Sequence, residues 1–595
     1  MRRRSLGRRI TAAAVVLLGL LAVAGPASAQ ATGLSARARA EEPLPLEQLF
    51  DNTAVSDDTL PGTADFDGSG ASLSARDLTA AGWTAGRTLT VQGADLTWPD
   101  RRPGEPDNAT AAGQSVLLTG TGDALAFLVT ATGGKAATGS GTVSYADGSS
   151  SAYRLTAPDW RTGPLATKAV TLPHVNTPAG QLATQARLYV VTVPIAPGRE
   201  VVSVRLPSAA GLHVFALTVR AKSAGWSGSW TASTSGYPAV GPWTDRTLRL
   251  VVHTSVGGPR VRLRFDNTFA AAPVRIGSAT VAVQSAGATA RDMPVALSFG
   301  GATGVEVPAG AQAFTDPLGF EVPADANLLV SFHLPDTVAA VAEHRLAKQR
   351  SYLSTPGDHT ADSASTAYTT TLTTWPLLTG VDVSGGPGSV VLLGDSITDG
   401  AGSTVDSNRR WPNALATRLL AQSAVPRYGV LNQGISGNRV VAEIYHGEGI
   451  STDSTGVDAL NRLDRDVLAQ TSVRTVIVFE GINDVRWQAT AAQVVAGLRE
   501  IAERGHERGL RMLVATILPC AGEARCTAAV DTQRVAVNAW IRDTDVFDGV
   551  LDFDAALRDP AQPSRLLPVY DGGDHLHPGE TGLAALAGAV DLTLL

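Results

Sequence analysis

From about Pro45 to Lys222 the chain is a series of short apolar or alternating runs separated by Gly, Asp, Ser and Pro. Thr88–Val91, Ser115–Leu118, Leu125–Val129 and Leu188–Val193 have the length and β-branched content of strands, and their turn-punctuated spacing predicts a β-sandwich. The same texture continues from Trp226 to about Ser384, in Leu248–Val252, Val261–Phe265 and Leu328–Phe332. Val261, Leu263 and Phe265 alternate with Arg262 and Arg264, the pattern of a strand with one face in solvent. The texture changes after Gly385-Gly386-Pro387-Gly388. Apolar strands at Ser389–Leu393, Tyr428–Leu431, Thr475–Phe479, Arg511–Leu518 and Val550–Phe553 now alternate with helical-period segments. Those segments include Trp411–Leu420, with Pro412 in the first turn where its missing N–H is tolerated. They also include a Val457, Leu460, Leu463, Val467, Leu468 stripe, Thr490–Gly505, Val535–Ile541 and a C-terminal helix. Such alternation predicts a doubly wound parallel sheet covered on both faces. Sites in such sheets lie beyond the carboxyl ends of the strands.

At 595 residues the chain is too long for one core, and two to four domains are expected. The pattern divides it into a leader at 1–29, a tether at 30–44, a β-sandwich unit at 45–222, a second β-rich unit at 223–384 and an α/β unit at 385–595. The leader joins Arg2, Arg3, Arg4, Arg8 and Arg9 to an apolar stretch from Ile10 to Ala24 and to Ala27-Ser28-Ala29, the pattern of a cleaved signal peptide. A secreted, extracellular protein is therefore expected, with export by either the general or the twin-arginine route. The apolar stretch is short for a membrane span and no later segment approaches that length, so no stable membrane insertion is expected. A net charge of −7 argues against a nucleic-acid partner, which needs many phosphate-neutralising cations. An apolar content of 44% argues against disorder. Cys520 and Cys526 are the two cysteines. Outside the cell a disulfide between them is favoured, and closing so short a loop contributes roughly 2 kcal/mol in the chain-entropy model. A metal site is the alternative, but no His stands at ligand spacing nearby.

Four polar clusters stand at strand ends or before a helix. They are Gly394-Asp395-Ser396-Ile397-Thr398-Asp399-Gly400, Asn432-Gln433-Gly434-Ile435-Ser436-Gly437-Asn438, Glu480-Gly481-Ile482-Asn483-Asp484 and Asp574-His575-Leu576-His577-Pro578. Together they offer a hydroxyl nucleophile, an imidazole base, an orienting carboxylate and oxyanion donors, which is what ester hydrolysis needs. Each block alone reads as an ordinary helix cap or turn; the four in order are specific. They resemble the SGNH (GDSL-type) hydrolase superfamily over Ser389 to Leu595, with Ser396, Gly437, Asn483 and His577 in the family's order. The wording around Asp395–Ser403 and Arg465–Leu468 is similar to secreted bacterial arylesterase/acylhydrolase-type members.

The resemblance implies a flavodoxin-like doubly wound fold for 385–595, and a mechanism. Ser396 is the expected nucleophile, His577 the base and Asp574 the orienting acid. The backbone N–H groups of Ser396 and Gly437 and the Asn483 side chain are the expected oxyanion hole, and no cofactor or metal is required. The family's Asp-x-x-His spacing selects His577 over His575. Asp395 and Asp399 are expected to support the turn, and Trp411, Trp487 and Trp540 to be core or pocket wall.

The first unit, with Asp51, Asp57, Asp58, Asp65 and Asp67 and then Trp98, resembles accessory β-sandwiches of carbohydrate-active enzymes. That makes its acids a candidate calcium site and its aromatics candidate sugar platforms; turn carboxylates and core tryptophans are the alternative. The second unit resembles the β-domain that often precedes such a hydrolase, and is expected to pack on it. The expected function is a secreted serine esterase removing short acyl groups, acetyl foremost, from a carbohydrate such as an acylated polysaccharide. A lipase or phospholipase on longer chains and a non-catalytic carbohydrate-binding protein are the alternatives.

Overall fold

The computed structural model describes residues 42–442, 450 and 455–595. The expected signal peptide and all but the end of the tether lie outside these residues. Among the described residues no helix is long and apolar enough to cross a membrane.

Two sheets face each other in the first unit. One orders Lys168–Leu172, Ala186–Pro194, Ala124–Ala131, Ser208–Arg220 and Ala109–Ala112; the other orders Ser115–Gly120, Val201–Arg205, Ala137–Tyr145 and Ser150–Ala157. Leu125, Phe127, Val129, Val143, Leu155 and Val204 fill the space between them. All eight residues of Ala124–Ala131 are buried, because Ala126 and Leu128 on the other face meet a second cluster containing Phe66, Trp83, Trp98 and Trp160. Those tryptophans are core, so Trp98 is not the sugar platform that its sequence context offered.

The second unit is again two sheets closed on one core of Trp230, Leu250, Val252, Leu263, Phe265, Val330, Phe332 and Val381. Two details differ from the sequence pattern. The hairpin Thr88–Val91/Ala94–Thr97 extends a sheet of this unit through Thr90 opposite Gln312, although it lies in the first unit by sequence. Arg264, on the expected solvent face, is buried: it donates to the Thr379 carbonyl at 3.0 Å and to Gln470 Oε1 at 2.8 Å. A polar face reads as solvent-facing in sequence even when it docks against another polar surface.

The α/β unit carries five parallel strands: β1 (Ser389–Gly394), β2 (Gly429–Gly434), β3 (Val473–Phe479), β4 (Arg511–Ala515) and β5 (Gly549–Leu551). Their order is β2-β1-β3-β4-β5, the flavodoxin-like doubly wound arrangement. Successive residues of β1 enter opposite cores. Val391 and Leu393 meet Leu463, Val494, Leu498 and Ile501 on one face; Val390 and Leu392 meet Trp411, Leu415, Leu583 and Leu586 on the other. Burial on both faces is why these strands are continuously apolar. The stripe from Val457 to Leu468 forms a helix at Ala459–Leu463 that runs into a π turn at Asp464–Leu468.

The outer edge of β2 is covered by the second unit. Val430 N–H donates to Ser255 Oγ at 2.9 Å and Thr231 Oγ1 to the Asn432 carbonyl at 3.3 Å, while Gly228 N–H reaches past that edge to Ser389 Oγ at the start of β1 at 2.9 Å. A sheet edge that would otherwise expose unpaired backbone groups is closed in this way.

Candidate active site

β1 ends in Gly394, and Asp395 turns the chain into a single helical turn, Ser396–Asp399. Asp395 Oδ1 caps the turn by accepting from Ile397 N–H at 2.9 Å, and Gly400 closes it in the left-handed region at φ 116°. A side chain at 400 would be strained there and would also strike Arg410. This cap places Ser396 at the first helical position, with its N–H unbonded among the described residues.

Ser396 Oγ lies 2.8 Å from His577 Nε2, and His577 Nδ1 lies 2.6 Å from Asp574 Oδ2. The carboxylate can only accept, so Nδ1 carries its proton and Nε2 of the neutral ring accepts from the Ser396 hydroxyl. Asp574 Oδ1 accepts from the backbone N–H of Leu576 at 3.0 Å and of His577 at 2.8 Å. Partial burial pushes the Asp574 carboxyl up. The hydrogen bonds from the backbone and ring of His577 and from Leu576 outweigh burial and hold it at about 2.

Gly437 sits at φ 83°, where a Cβ would lie 2.6 Å from Thr455 Cγ2. Its N–H also has no acceptor among the described residues. The loop is pinned on both sides. Ser436 donates to Asp399 Oδ2 through its N–H (2.9 Å) and its hydroxyl (2.7 Å), and Asn438 Nδ2 donates to the Thr455 and Val457 carbonyls. Asn483, on the helix Ile482–Arg486, points Nδ2 at the Asn438 carbonyl at 3.0 Å.

Several residues outside the predicted set complete the site. Arg486 Nη1 donates to Asn483 Oδ1 at 3.0 Å, which orients the amide, and Arg486 Nη2 is held by Glu523 Oε1 at 3.0 Å. The i,i+3 spacing of Asn483 and Arg486 on one helix was a usable signal. Arg462 is fully buried and donates to Asn438 Oδ1, the Gln433 carbonyl and the Gly394 carbonyl, tying the ends of β1 and β2 to the Gly437 loop. Below Ser396 lie two buried acids. Burial pushes Asp395 up to about 6. It pushes Glu480 well above the carboxylate range, with Asp395 adding to that and Arg462 opposing it.

His575 does not join Ser396. Its Nδ1 pairs with Asp571 Oδ2 at 2.6 Å and its ring rests over Gly522. Cys520 and Cys526 form a disulfide. Trp411 is core, Trp540 packs on Phe547, and Trp487 is half exposed between the Arg439 and Arg525 guanidiniums, 4.7 and 4.3 Å from its ring centre. The acids of the first unit act in turns: Asp57 accepts from Thr59, Asp67 from Ser69, Asp65 from Gly70, and Asp58 from Ser74, Arg76 and Gln181. Among the described residues no cluster of His, Cys, Asp or Glu is placed to hold a metal ion, so the candidate calcium site finds no ligand set there.

Residues 392–585 match the family model described as GDSL-like Lipase/Acylhydrolase family, and residues 40–223 that of the AziU2-like beta-sandwich domain. No curated protein matches the chain. Among solved structures, a putative lipolytic protein of the G-D-S-L family from Desulfitobacterium hafniense is 20% identical, over 34% of this chain and 96% of its own, with a TM-score of 0.27. An acetylxylan esterase from Geobacillus stearothermophilus is 22% identical, over 34% of this chain and 93% of its own, with a TM-score of 0.26. A lipase/acylhydrolase from Enterococcus faecalis is 20% identical, over 34% and 92%, with a TM-score of 0.26.

Proposed function

Proceeding from a C-terminal domain of the GDSL-like lipase/acylhydrolase family, which makes the protein a carboxylic ester hydrolase, we propose that it removes short acyl groups, acetyl foremost, from carbohydrate outside the cell through Ser396, His577 and Asp574. The observation that carries the mechanism is the unbroken hydrogen-bond chain Ser396 Oγ–His577–Asp574, at 2.8 and 2.6 Å.

Ser396 Oγ attacks the acyl carbon as its proton passes to His577 Nε2, and Asp574 stabilises the imidazolium that results. The oxyanion forms against the N–H groups of Ser396 and Gly437 and the Asn483 amide. His577 returns the proton to the leaving alcohol, and the acyl group stays on Ser396. Water, deprotonated by His577, then attacks the acyl carbon; the bond to Ser396 Oγ breaks, His577 returns the proton to that oxygen, and the acid is released. Each oxyanion donor contributes roughly 3 kcal/mol to lowering the barrier.

The substrate class is supported by the half-exposed Trp487 ring, one turn along the helix from Asn483, with the Arg439 and Arg525 guanidiniums against it, an aromatic and polar surface suited to hydroxylated rings. The leader pattern and the Cys520–Cys526 disulfide support action outside the cell.

The test is hydrolysis of p-nitrophenyl esters from acetate to palmitate by the mature protein, with Ser396→Ala alongside, followed by acid release from an acetylated polysaccharide. Turnover should peak at acetate and fall about 10⁴-fold or more in the variant. A peak at long chains would replace this reading with a lipase. Absence of any Ser396-dependent turnover would overturn the serine mechanism and leave a binding role.

A further inference from the structure

We propose that His344, a residue of the second β-rich unit, is a positioning residue for the oxyanion loop of the hydrolase, so that the active site is built jointly by two units. The proposal rests on Ser396 as nucleophile and Gly437 as oxyanion donor.

His344 lies in the two-residue strand Glu343–His344 and is buried, its ring 5.5 Å from that of Trp375. Nδ1 is 2.8 Å from the Ser233 carbonyl and Nε2 is 2.9 Å from Asp399 Oδ1. A carbonyl and a carboxylate both only accept, so both ring nitrogens carry protons and the pair is imidazolium with carboxylate. Burial opposes the charge on the ring, but Asp399 outweighs it and holds the imidazole above its ordinary value.

The other oxygen of the same carboxylate receives both donors of Ser436. Asp399 closes the helical turn that begins at Ser396, and Ser436 directly precedes Gly437. One carboxylate therefore joins the two backbone segments whose N–H groups face the oxyanion, and His344 sets how that carboxylate is turned. Ser233, beside His344, makes a second contact. Its hydroxyl donates to Gln433 Oε1 and accepts from Arg462 Nη1 at 3.2 Å, the arginine that also holds Asn438.

Without His344 the Asp399 carboxylate is left buried with Arg410 as the nearby cation, and Arg410 spends Nη2 on the Ala347 carbonyl. A buried carboxylate that loses its paired donor protonates or turns away. Either change releases Ser436 and displaces the Gly437 N–H from the place where charge develops. Such displacement weakens the transition state more than the bound ester.

The test uses the full chain and compares wild type, His344→Ala, His344→Gln and, as a control on another buried-edge histidine pair of the same unit, His333→Ala. kcat and KM for p-nitrophenyl acetate are measured below each variant's melting temperature, on protein shown folded by circular dichroism. We expect His344→Ala to lose at least tenfold in kcat with KM within threefold. His344→Gln keeps one donor and should fall between it and wild type, and His333→Ala should match wild type. A folded His344→Ala with less than a tenfold loss in kcat reduces His344 to an inter-unit contact and overturns the proposal. Should that variant not fold, His344→Gln decides: less than a threefold loss in kcat overturns it. Wild type without Ser396-dependent turnover would instead overturn the esterase reading, and this proposal with it.

Discussion

Asp574 and Asp395 stand on either side of the same serine–histidine pair and are held in opposite ways. Asp574 has a side chain 56% exposed, and its oxygens receive two backbone N–H groups and the His577 ring, which hold it at about 2. Asp395 is fully enclosed, has one backbone donor at Ile397, and is pushed up to about 6. The first arrangement suits a permanent anion that fixes a tautomer; the second suits a cap that need not be charged. Asp574→Asn should therefore lower kcat by about 10³- to 10⁴-fold, because an amide can present its N–H to Nδ1 and select the wrong tautomer. KM for p-nitrophenyl acetate should change little. Asn483→Ala should cost about 10²- to 10³-fold in kcat. Steady-state kinetics on the two variants decides both.

At the scale of elements, the Cys520–Cys526 loop carries Glu523, which grips Arg486, which in turn orients Asn483. The disulfide loop is thus linked through one helix to Asn483, the proposed oxyanion donor. Replacing both cysteines by serine should lower stability by about 2 kcal/mol and lower kcat several-fold, read by denaturant titration and by kinetics with and without reductant.

The first β-sandwich carries a second balanced pair. Burial holds His213, bonded to Asn108 and Thr132, down at about 4; burial pushes Asp107, bonded to Asn108, up to about 6. A histidine with a depressed folded pKa contributes stability that is present above its ordinary value and lost as pH falls toward 4. An acid with a raised folded pKa is destabilising above about 6 and is relieved over the same descent. Each effect is worth roughly 3 kcal/mol, and they oppose one another. His213→Gln removes one side of the balance. Relative to wild type the variant should gain up to about 3 kcal/mol as pH is lowered from 7 to 4, seen as a converging or crossing pair of melting-temperature profiles.

At the scale of the whole molecule, the second β-rich unit closes the β2 edge and places Ser233 against Gln433 and His344 against Asp399. A fragment beginning at Gly385 would expose that edge and leave Arg462 and Asp399 without these partners. It should aggregate on size-exclusion chromatography and lack esterase activity, while the full chain stays dispersed. The sequence by itself determined most of the elements and the four polar blocks at strand ends, because strand and helix periods and turn chemistry depend on neighbours in the chain. It also carried the Asp574–His577 spacing, three residues apart within one turn. It could not show that Arg264 lies under the hydrolase, that the Thr88–Thr97 hairpin joins the second unit, or that His344 meets Asp399 across 55 residues and Ser233 meets Gln433 across 200. Those pairings arise when preformed surfaces dock. Docking selects partners by shape and by complementary donors and acceptors, which leave no period in the sequence of either surface.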